Sequence, residues 1–219
     1  MKLSKTTVNL LRNFASINTN LLIRPGNQLM TVSANKTSFA SAEIEETFDT
    51  TFGVYDLSEL LGVLSIFDNP ELEFTDRALT ISDGKNKIRY MPADADVLIS
   101  PKKEPKFSAT PEAEFTLTSL QLTQLIKASS VLKVPFVTFK GDGCKIVVLV
   151  HDKSNPNTNH FSIDVEAETE NTFDMHIKVD SLKMMPEEYK VLISSAKVCK
   201  FIGDKKTYLV TGELDSSFQ

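Results

Sequence analysis

Two stretches of the chain, residues 4–16 and 117–133, have apolar residues at the spacing of an amphipathic helix. In the first stretch, one polar stripe is formed by residues at i, i+4, i+7 and i+11, namely Lys5, Asn9, Arg12 and Ser16. In the second stretch, the residues that recur at helical spacing are Leu122, Leu125, Ile126, Ser129 and Leu132. Each pattern predicts a helix with one face toward a core and an exposed polar face.

An alternating pattern typical of a half-buried strand also occurs twice, in residues 48–54 and 173–179. Each is followed by an aspartate, Asp56 or Asp180, that is suited to cap a second helix. Helix, strands, alternating strand and second helix therefore recur in the same order, which indicates an internal duplication. We predict an α+β fold of two similar domains, each with antiparallel sheets and two helices on one face.

The helical and strand patterns are both interrupted between residues 91 and 114, where the chain contains four prolines. Such a segment is typical of a linker that crosses the surface in extended form. We therefore predict two domains, residues 1–108, which end in this linker, and residues 109–219.

Composition narrows the class of protein further. The 219 residues carry a net charge of −5, which argues against a surface that is basic all over but leaves room for one confined basic face. No apolar run approaches the roughly 20 residues that a membrane-spanning helix needs, so no membrane partner is expected. Cys144 and Cys199 lack the spacing of a zinc site.

No catalytic signature is present in the sequence. There is no phosphate-binding loop, no dinucleotide fingerprint and no metal-spaced cluster, so neither a cofactor nor a metal is expected. His151 and His160 flank a polar loop, and His176 is predicted to face solvent from its strand. An enzyme is disfavoured, although a hydrolase that uses His151, His160 or Asp152 remains an alternative.

Basic side chains are concentrated on the predicted helices. Lys5 and Arg12 lie on the first helix, Lys127 and Lys133 on its counterpart, and Lys183 on a short helix after Asp180. Each of them singly could be a solubilising side chain on an exposed face. The corresponding positions of Arg12 and Lys127 in the duplication favour a shared function.

Four segments, spread along nearly the whole chain, resemble the sliding clamps of T-even-type bacteriophages, which belong with PCNA and the bacterial β clamp. These segments are MKLSKTTVNLLRNFASIN, VYDLSELLGVLSIF, YMPADADV and NTFDMHIKVDSLKMMPEEYKVLI. The resemblance implies a homotrimeric ring of six similar domains that encircles double-stranded DNA and tethers a DNA polymerase to it. The five basic residues would then line the hole.

The resemblance also implies further sites and partners. Subunits would join through edge strands around Ile88, Arg89, Tyr90 and Met91 and around Phe161, Ile163 and Val165. Partner peptides would enter an apolar pocket beside the linker, formed by Val97, Leu98, Ile99 and Phe107. The implied partners are the polymerase, an ATP-driven clamp loader and, in late transcription, factors associated with RNA polymerase.

Two further expectations complete the prediction. The protein is expected in the cytoplasm of an infected bacterial host. The alternative to a ring is a monomeric accessory subunit that binds duplex DNA through one open basic face.

Overall fold

The computed structural model describes residues 1–75, 77–107, 110–155 and 157–219. Within them the chain divides into two compact units, Met1–Glu104 and Pro105–Gln219. The boundary predicted between residues 108 and 109 lies outside the described residues. In the described part of the chain, no helix is long and apolar enough to span a membrane.

The first unit begins with a helix and continues mostly as short strands. Its elements are α1 (Lys5–Ile17), β1 (Leu21–Ile23), β2 (Gly26–Val32), β3 (Ser38–Phe48), β4 (Phe52–Val54), α2 (Leu57–Leu64), β5 (Glu71–Thr75), β6 (Ala78–Ser82) and β7 (Lys87–Tyr90). A 3₁₀ turn follows at Ala95–Val97. All pairings are antiparallel: β1 with β4, β2 with β3, and β5, β6 and β7 in that order.

The second unit has a single long helix among its described residues. Its elements are β8 (Ala113–Leu117), α3 (Ser119–Leu132), β9 (Phe136–Asp142), β10 (Lys145–His151), β11 (Phe161–Glu168), β12 (Thr172–Lys178), β13 (Tyr189–Ser194), β14 (Val198–Ile202), β15 (Lys206–Thr211) and β16 (Ser217–Phe218). Antiparallel pairing gives one sheet in the order β11-β10-β9-β12-β16. Another runs in the order β8-β13-β14-β15.

The predicted duplication is visible in the topology of both units. In each, a helix is followed by a strand, a hairpin and a strand that pairs back to the first: β1 with β4, and β9 with β12. A helix or turn then leads into a three-stranded meander, β5-β6-β7 or β13-β14-β15. The order of elements inferred from the sequence is therefore confirmed, apart from the second helix of the second unit.

The second helices of the two units differ, contrary to the prediction. Asp56 caps α2 as predicted, because its side chain accepts hydrogen bonds from the backbone N–H groups of Ser58 and Glu59. Asp180 caps nothing: it lies inside a 3₁₀ turn, Val179–Ser181, that has no side-chain cap. The predicted short helix in the second unit is therefore wrong, since Pro186 leaves little room for a helix.

Aromatic side chains fill the core of both units. In the first unit, Phe74 meets Phe48 and Phe52 edge to face, with ring centroids 5.2 and 5.3 Å apart. In the second, Phe201 lies 6.2 Å from Phe139 and 6.3 Å from Tyr189 between ring centroids. Such pairs add to the free energy of burying their area.

Helix α3 begins with a complete capping box. The Thr118 hydroxyl accepts from the Gln121 N–H, and the Gln121 side chain accepts from the Thr118 N–H. Both interactions satisfy donors that a helix start leaves unpaired. The helix ends at Leu132, and its C-cap residue Lys133 has a left-handed conformation with φ of 55°.

We expect Thr118→Ala to lower the free energy of unfolding of the second unit by about 1 kcal/mol, because the helix start loses its side-chain acceptor. Urea unfolding measures the difference. The matched control is Thr123→Ala on the exposed middle of the same helix, where alanine is the better helix former and no loss is expected. Equal effects at both positions would contradict the role of the cap.

Candidate nucleic-acid interface

The exposed face of α1 carries the predicted polar stripe. Lys5, Asn9 and Arg12 are exposed, whereas Leu10 and Phe14 on the other side are buried. Arg12 Nη1 donates a hydrogen bond to Asn9 Oδ1 at 3.0 Å, one turn earlier. The exposed guanidinium has further N–H donors with which to bind an anion.

A groove of about 670 Å³ lies beside this stripe, between α1 and the end of α2. Lys5 and Arg12 border it, and Val8, Leu61 and Leu72 contribute apolar lining. The basic stripe therefore borders a concave surface of the first unit.

Helix α3 presents a more mixed exposed face. Lys127 and Lys133 are exposed as predicted. Leu120 and Val131 are also largely exposed, at 67% and 70%. Corresponding helices in the two units thus share an exposed cation but not a continuous basic stripe.

Lys183 has a different setting from the predicted one. It follows the 3₁₀ turn rather than lying on a helix, and it is exposed between the buried side chains of Leu182 and Met184. Burial of these two neighbours fixes the direction of the segment. The structure therefore presents the lysine on the surface without a helix.

The charged side chains of α1 and α3 are all cations, whereas exposed carboxylates are frequent on several strands. Within the described residues, none of Lys5, Arg12, Lys127 and Lys133 forms an ion pair. Exposed carboxylates lie on strands β3, β5 and β11: Glu43, Glu45, Glu71, Glu73, Asp164, Glu166 and Glu168. The helix cations are therefore available to an external anion.

One carboxylate does lie among the helices. Glu59, on the exposed side of α2, accepts a hydrogen bond from the Tyr90 hydroxyl at 3.2 Å. Burial, together with this bond and the charge of Glu59, raises the pKa of Tyr90 to about 12. Tyr90 therefore keeps its proton and ties β7 to α2.

Glu46 on β3 holds the first turn of α1. Its carboxylate accepts from the Ser4 N–H and, at 2.5 Å, from the Thr7 hydroxyl. Burial alone would raise the pKa of Glu46, but these hydrogen bonds outweigh it and the pKa is lowered. Sequence reasoning missed this residue, because its partners lie about 40 positions away and leave no local signal.

The predicted subunit-interface residues lie on or beside edge strands. β7, which contains Ile88, Arg89 and Tyr90, is the outer strand of its sheet. Met91 lies just beyond its end and is exposed. β11 is the outer strand of its sheet, and its residues Phe161, Ile163 and Val165 have half-buried or buried side chains.

The predicted pocket residues have different environments. Val97 and Ile99 are exposed at 61% and 42%, whereas Leu98 between them is buried. Phe107 belongs to the second unit and is half-buried. The linker was predicted to be extended, but residues 95–97 form a 3₁₀ turn that the Asp94 carboxylate caps.

Two histidines of the second unit share one hydroxyl. His151 Nε2 and His176 Nδ1 each lie 2.7 Å from Thr138 Oγ1, which links β9, β10 and β12. His176 lies on the strand face opposite the buried Phe173, Met175 and Ile177, as predicted, but it is half-buried rather than exposed. Burial lowers the pKa of both imidazoles and favours their neutral forms, one of which accepts the hydroxyl proton.

This cluster offers little support for the hydrolase alternative. The Thr138 side chain is buried and already shared by two imidazoles, so it is not an exposed nucleophile. His151, His176 and Thr138 line a surface depression of about 340 Å³. Asp152 also lines this depression, whereas His160 does not. Among the described residues, no group of three or more His, Cys, Asp or Glu side chains could hold a metal ion.

Comparison with known proteins gives a consistent result over the chain. Residues 2–100 match a family described as DNA polymerase processivity factor, and residues 114–214 match one described as gp45 sliding clamp, C terminal. The sliding clamp of Vibrio phage KVP40 is 31% identical over 97% of this chain and 99% of that protein. The sliding clamp of Enterobacteria phage T4 is 31% identical over 99% of each chain.

The solved structures show a likeness of fold. A structure of A. fulgidus PCNA with the C-terminal region of FEN-1 bound has a TM-score of 0.73 at 12% identity. The match covers 99% of this chain and 100% of that one.

We expect Glu46→Ala to destabilise the start of α1 by about 1 kcal/mol at neutral pH, because two donors lose a charged acceptor. A carboxyl with a lowered pKa stabilises the fold above its unfolded value, here 4.5, and this contribution is lost as the pH falls through the lower folded value. Hydrogen exchange of the α1 amides measures the difference between variant and wild type, which should shrink in acid. Glu45→Ala, an exposed neighbour on β3, is the control and should change little. A difference that persists unchanged in acid would contradict the role of the carboxylate.

Proposed function

Since this chain belongs to the sliding-clamp family of DNA polymerase processivity factors, we propose that it encircles duplex DNA as a homotrimeric ring. The resemblance and the α+β clamp fold predicted from the sequence are confirmed. The observation that carries the proposal is the exposed stripe of Lys5 and Arg12 on α1, with Lys127 at the corresponding helix of the second unit. Processivity factors do not catalyse the reaction that they support.

Contacts between these helix cations and the phosphates of the duplex suit movement along DNA. Lysine and arginine side chains that bind phosphates read no base sequence, so every step along the duplex offers the same partners. Glu59 and the exposed apolar residues Leu120 and Val131 keep the helix surface only mildly positive. Each contact is then weak and screened by salt, and enclosure rather than affinity retains the DNA.

Ring closure needs two different edges on every subunit. The outer strands β7 and β11 each offer unpaired backbone donors and acceptors to another strand. When unlike surfaces of neighbouring subunits pair, each subunit is rotated relative to the previous one. A closed ring forms when these rotations add up to a full turn, which we propose happens after three subunits. Arg89 is exposed on β7, and Asp164 and Glu166 are exposed on β11, so the two edges carry opposite charges.

The proposed partners follow from membership of the family. An ATP-driven clamp loader opens the ring, a replicative polymerase binds a peptide pocket beside the linker, and factors of late transcription use the same protein. The bound FEN-1 segment on A. fulgidus PCNA supports peptide binding as the mode of partner recognition. Since the compared clamps belong to phages, we place the protein in the cytoplasm of an infected bacterial host.

The decisive experiment compares closed and linear DNA. Wild-type protein loaded on circular DNA should remain bound through gel filtration and dissociate once the circle is cut. Arg12→Glu with Lys127→Glu should impair loading and retention. The slope of log affinity against log salt should fall by roughly 0.9 for each phosphate that the variant no longer neutralises.

Lys36→Glu with Lys205→Glu is the control for this pair, since it makes the same charge change at two exposed turns. Trimer mass should be unchanged in both double variants. Retention of wild-type protein on linear DNA would overturn the ring, and unaltered processive synthesis by the first pair would overturn the assigned helix faces.

We expect Ile163→Asp on β11 to dissociate the trimer, because a charge would replace a half-buried apolar contact at the proposed edge. Light scattering should show wild-type particles of three times 24.4 kDa and variant particles of 24.4 kDa. Ser162→Asp, on an exposed position of the same strand, is the control. A wild-type mass of 24.4 kDa at micromolar concentration would favour the monomeric accessory subunit instead.

A further inference from the structure

Part of the linker is fastened tightly to the first unit. We call residues 93–99 the linker ledge. At its start, the Ala93 N–H donates to the Gly53 carbonyl at 2.9 Å. Near its end, the buried Leu98 side chain packs over Gly53, where an added Cβ would lie only 2.3 Å from the Ala93 oxygen. The close approach of the two segments therefore requires glycine at position 53.

Two asparagines fasten the other end of the ledge. Asn20 Oδ1 accepts from the Ile99 N–H at 3.0 Å, and Asn20 Nδ2 donates to the Tyr55 carbonyl at 2.7 Å. Asn18 Nδ2 donates to the Ile99 carbonyl at 2.9 Å and to the Val32 carbonyl at 2.8 Å. Both backbone groups of Ile99 are therefore held by side chains, as a neighbouring strand would hold them.

The two asparagines also hold each other. Asn18 Oδ1 accepts from the Asn20 N–H at 2.9 Å. Asn18 is the C-cap of α1, so the pair is built into the end of a helix. Because the two asparagine side chains are already ordered, they lose little conformational entropy when they bind the ledge. Their hydrogen bonds therefore hold the ledge in one conformation.

The surface formed by the ledge and by Tyr55, whose carbonyl is bound by Asn20, is apolar and acidic. Tyr55 is 63% exposed, and Val97 and Ile99 point outward on either side of the buried Leu98. Asp96 lies in the 3₁₀ turn next to Val97, Asp94 caps this turn, and both aspartates are exposed. The nearest charges on the ledge itself are therefore negative.

We propose that Asn18 and Asn20 are positioning residues that hold the linker ledge ready for a partner peptide, and that this peptide joins apolar side chains to Lys or Arg. The apolar residues cover Tyr55, Val97 and Ile99, and the cations face Asp94 and Asp96. The inference rests on the proposed function as a clamp and assigns the chemistry of its partner segment.

Two physical properties of the ledge, its negative charge and its preorganisation, favour binding of such a peptide. Opposite charges at the rim of an apolar contact select among partners and speed association. A surface that is already ordered costs less free energy to bind than a flexible tether. If the linker were flexible, the loss of conformational entropy on ordering residues 93–99 would offset part of the binding free energy.

The test begins with selection from a random-peptide library on the intact wild-type protein. The selected peptides should combine apolar residues with Lys or Arg, and Val97→Ser should abolish their binding. Leu214→Ser, a change at an apolar residue that is 90% exposed elsewhere, is the matched control and should not affect it. Asp94→Asn with Asp96→Asn should weaken the peptides that carry Lys or Arg and leave their neutral analogues unchanged.

The positioning role is tested with Asn20→Ala and the best selected peptide. We expect roughly tenfold weaker binding, as the loss of one such hydrogen-bonded anchor implies. Hydrogen exchange of the Ile99 amide should accelerate, while the α1 amides keep their protection and report an intact fold. Asn18→Ala should weaken binding in the same direction, and Asn27→Ala, exposed on β2, should not.

Three results would overturn the inference: selected peptides without cations, binding that ignores Val97, or unchanged affinity in Asn20→Ala despite faster exchange at Ile99. Retention on circular DNA is measured in parallel on wild-type protein. If retention holds and any of these results appears, only this inference fails. If retention fails, the clamp proposal fails as well.

Discussion

The seating of α1 is the constraint on which the first unit depends. Its apolar face, with Leu10 and Phe14, is buried in the core, and this burial supplies most of the free energy that a short helix needs. Glu46 holds its first turn and Asn18 closes its last. A helix fixed in this way has no freedom to rotate, so the opposite stripe with Lys5 and Arg12 must face outward.

Charge segregation follows from the same arrangement. The chain is acidic overall, yet Lys5, Arg12, Lys127 and Lys133 are exposed on α1 and α3, while many of its exposed carboxylates lie on strands β3, β5 and β11. Among the described residues these helix cations form no ion pairs. A surface of this kind attracts phosphates at a distance without holding them tightly, as the proposed movement along DNA requires.

The first part of the linker is held against the first unit and is not a flexible tether. Its prolines and lack of periodicity are typical of an extended connection, and residues 93–99 are nevertheless held by one backbone bond, one buried leucine and two asparagines. The free energy of these contacts outweighs the weak local preference of the segment. Tyr55, Val97 and Ile99 are thus exposed on a rigid support, which is the state that favours peptide binding.

The sequence by itself determined the order of elements, the duplication, α1 and α3, and the Asp56 cap, because periodicity and capping are local properties of the chain. Only the tertiary structure decided the roles of Glu46, Asn18 and Asn20, since each binds residues that are distant in sequence. The same limit explains the error at Asp180 and the partial burial of His176. A cap and a solvent-facing strand position were inferred from near neighbours, whereas the turn before Pro186 and the hydroxyl of Thr138 depend on how distant segments pack.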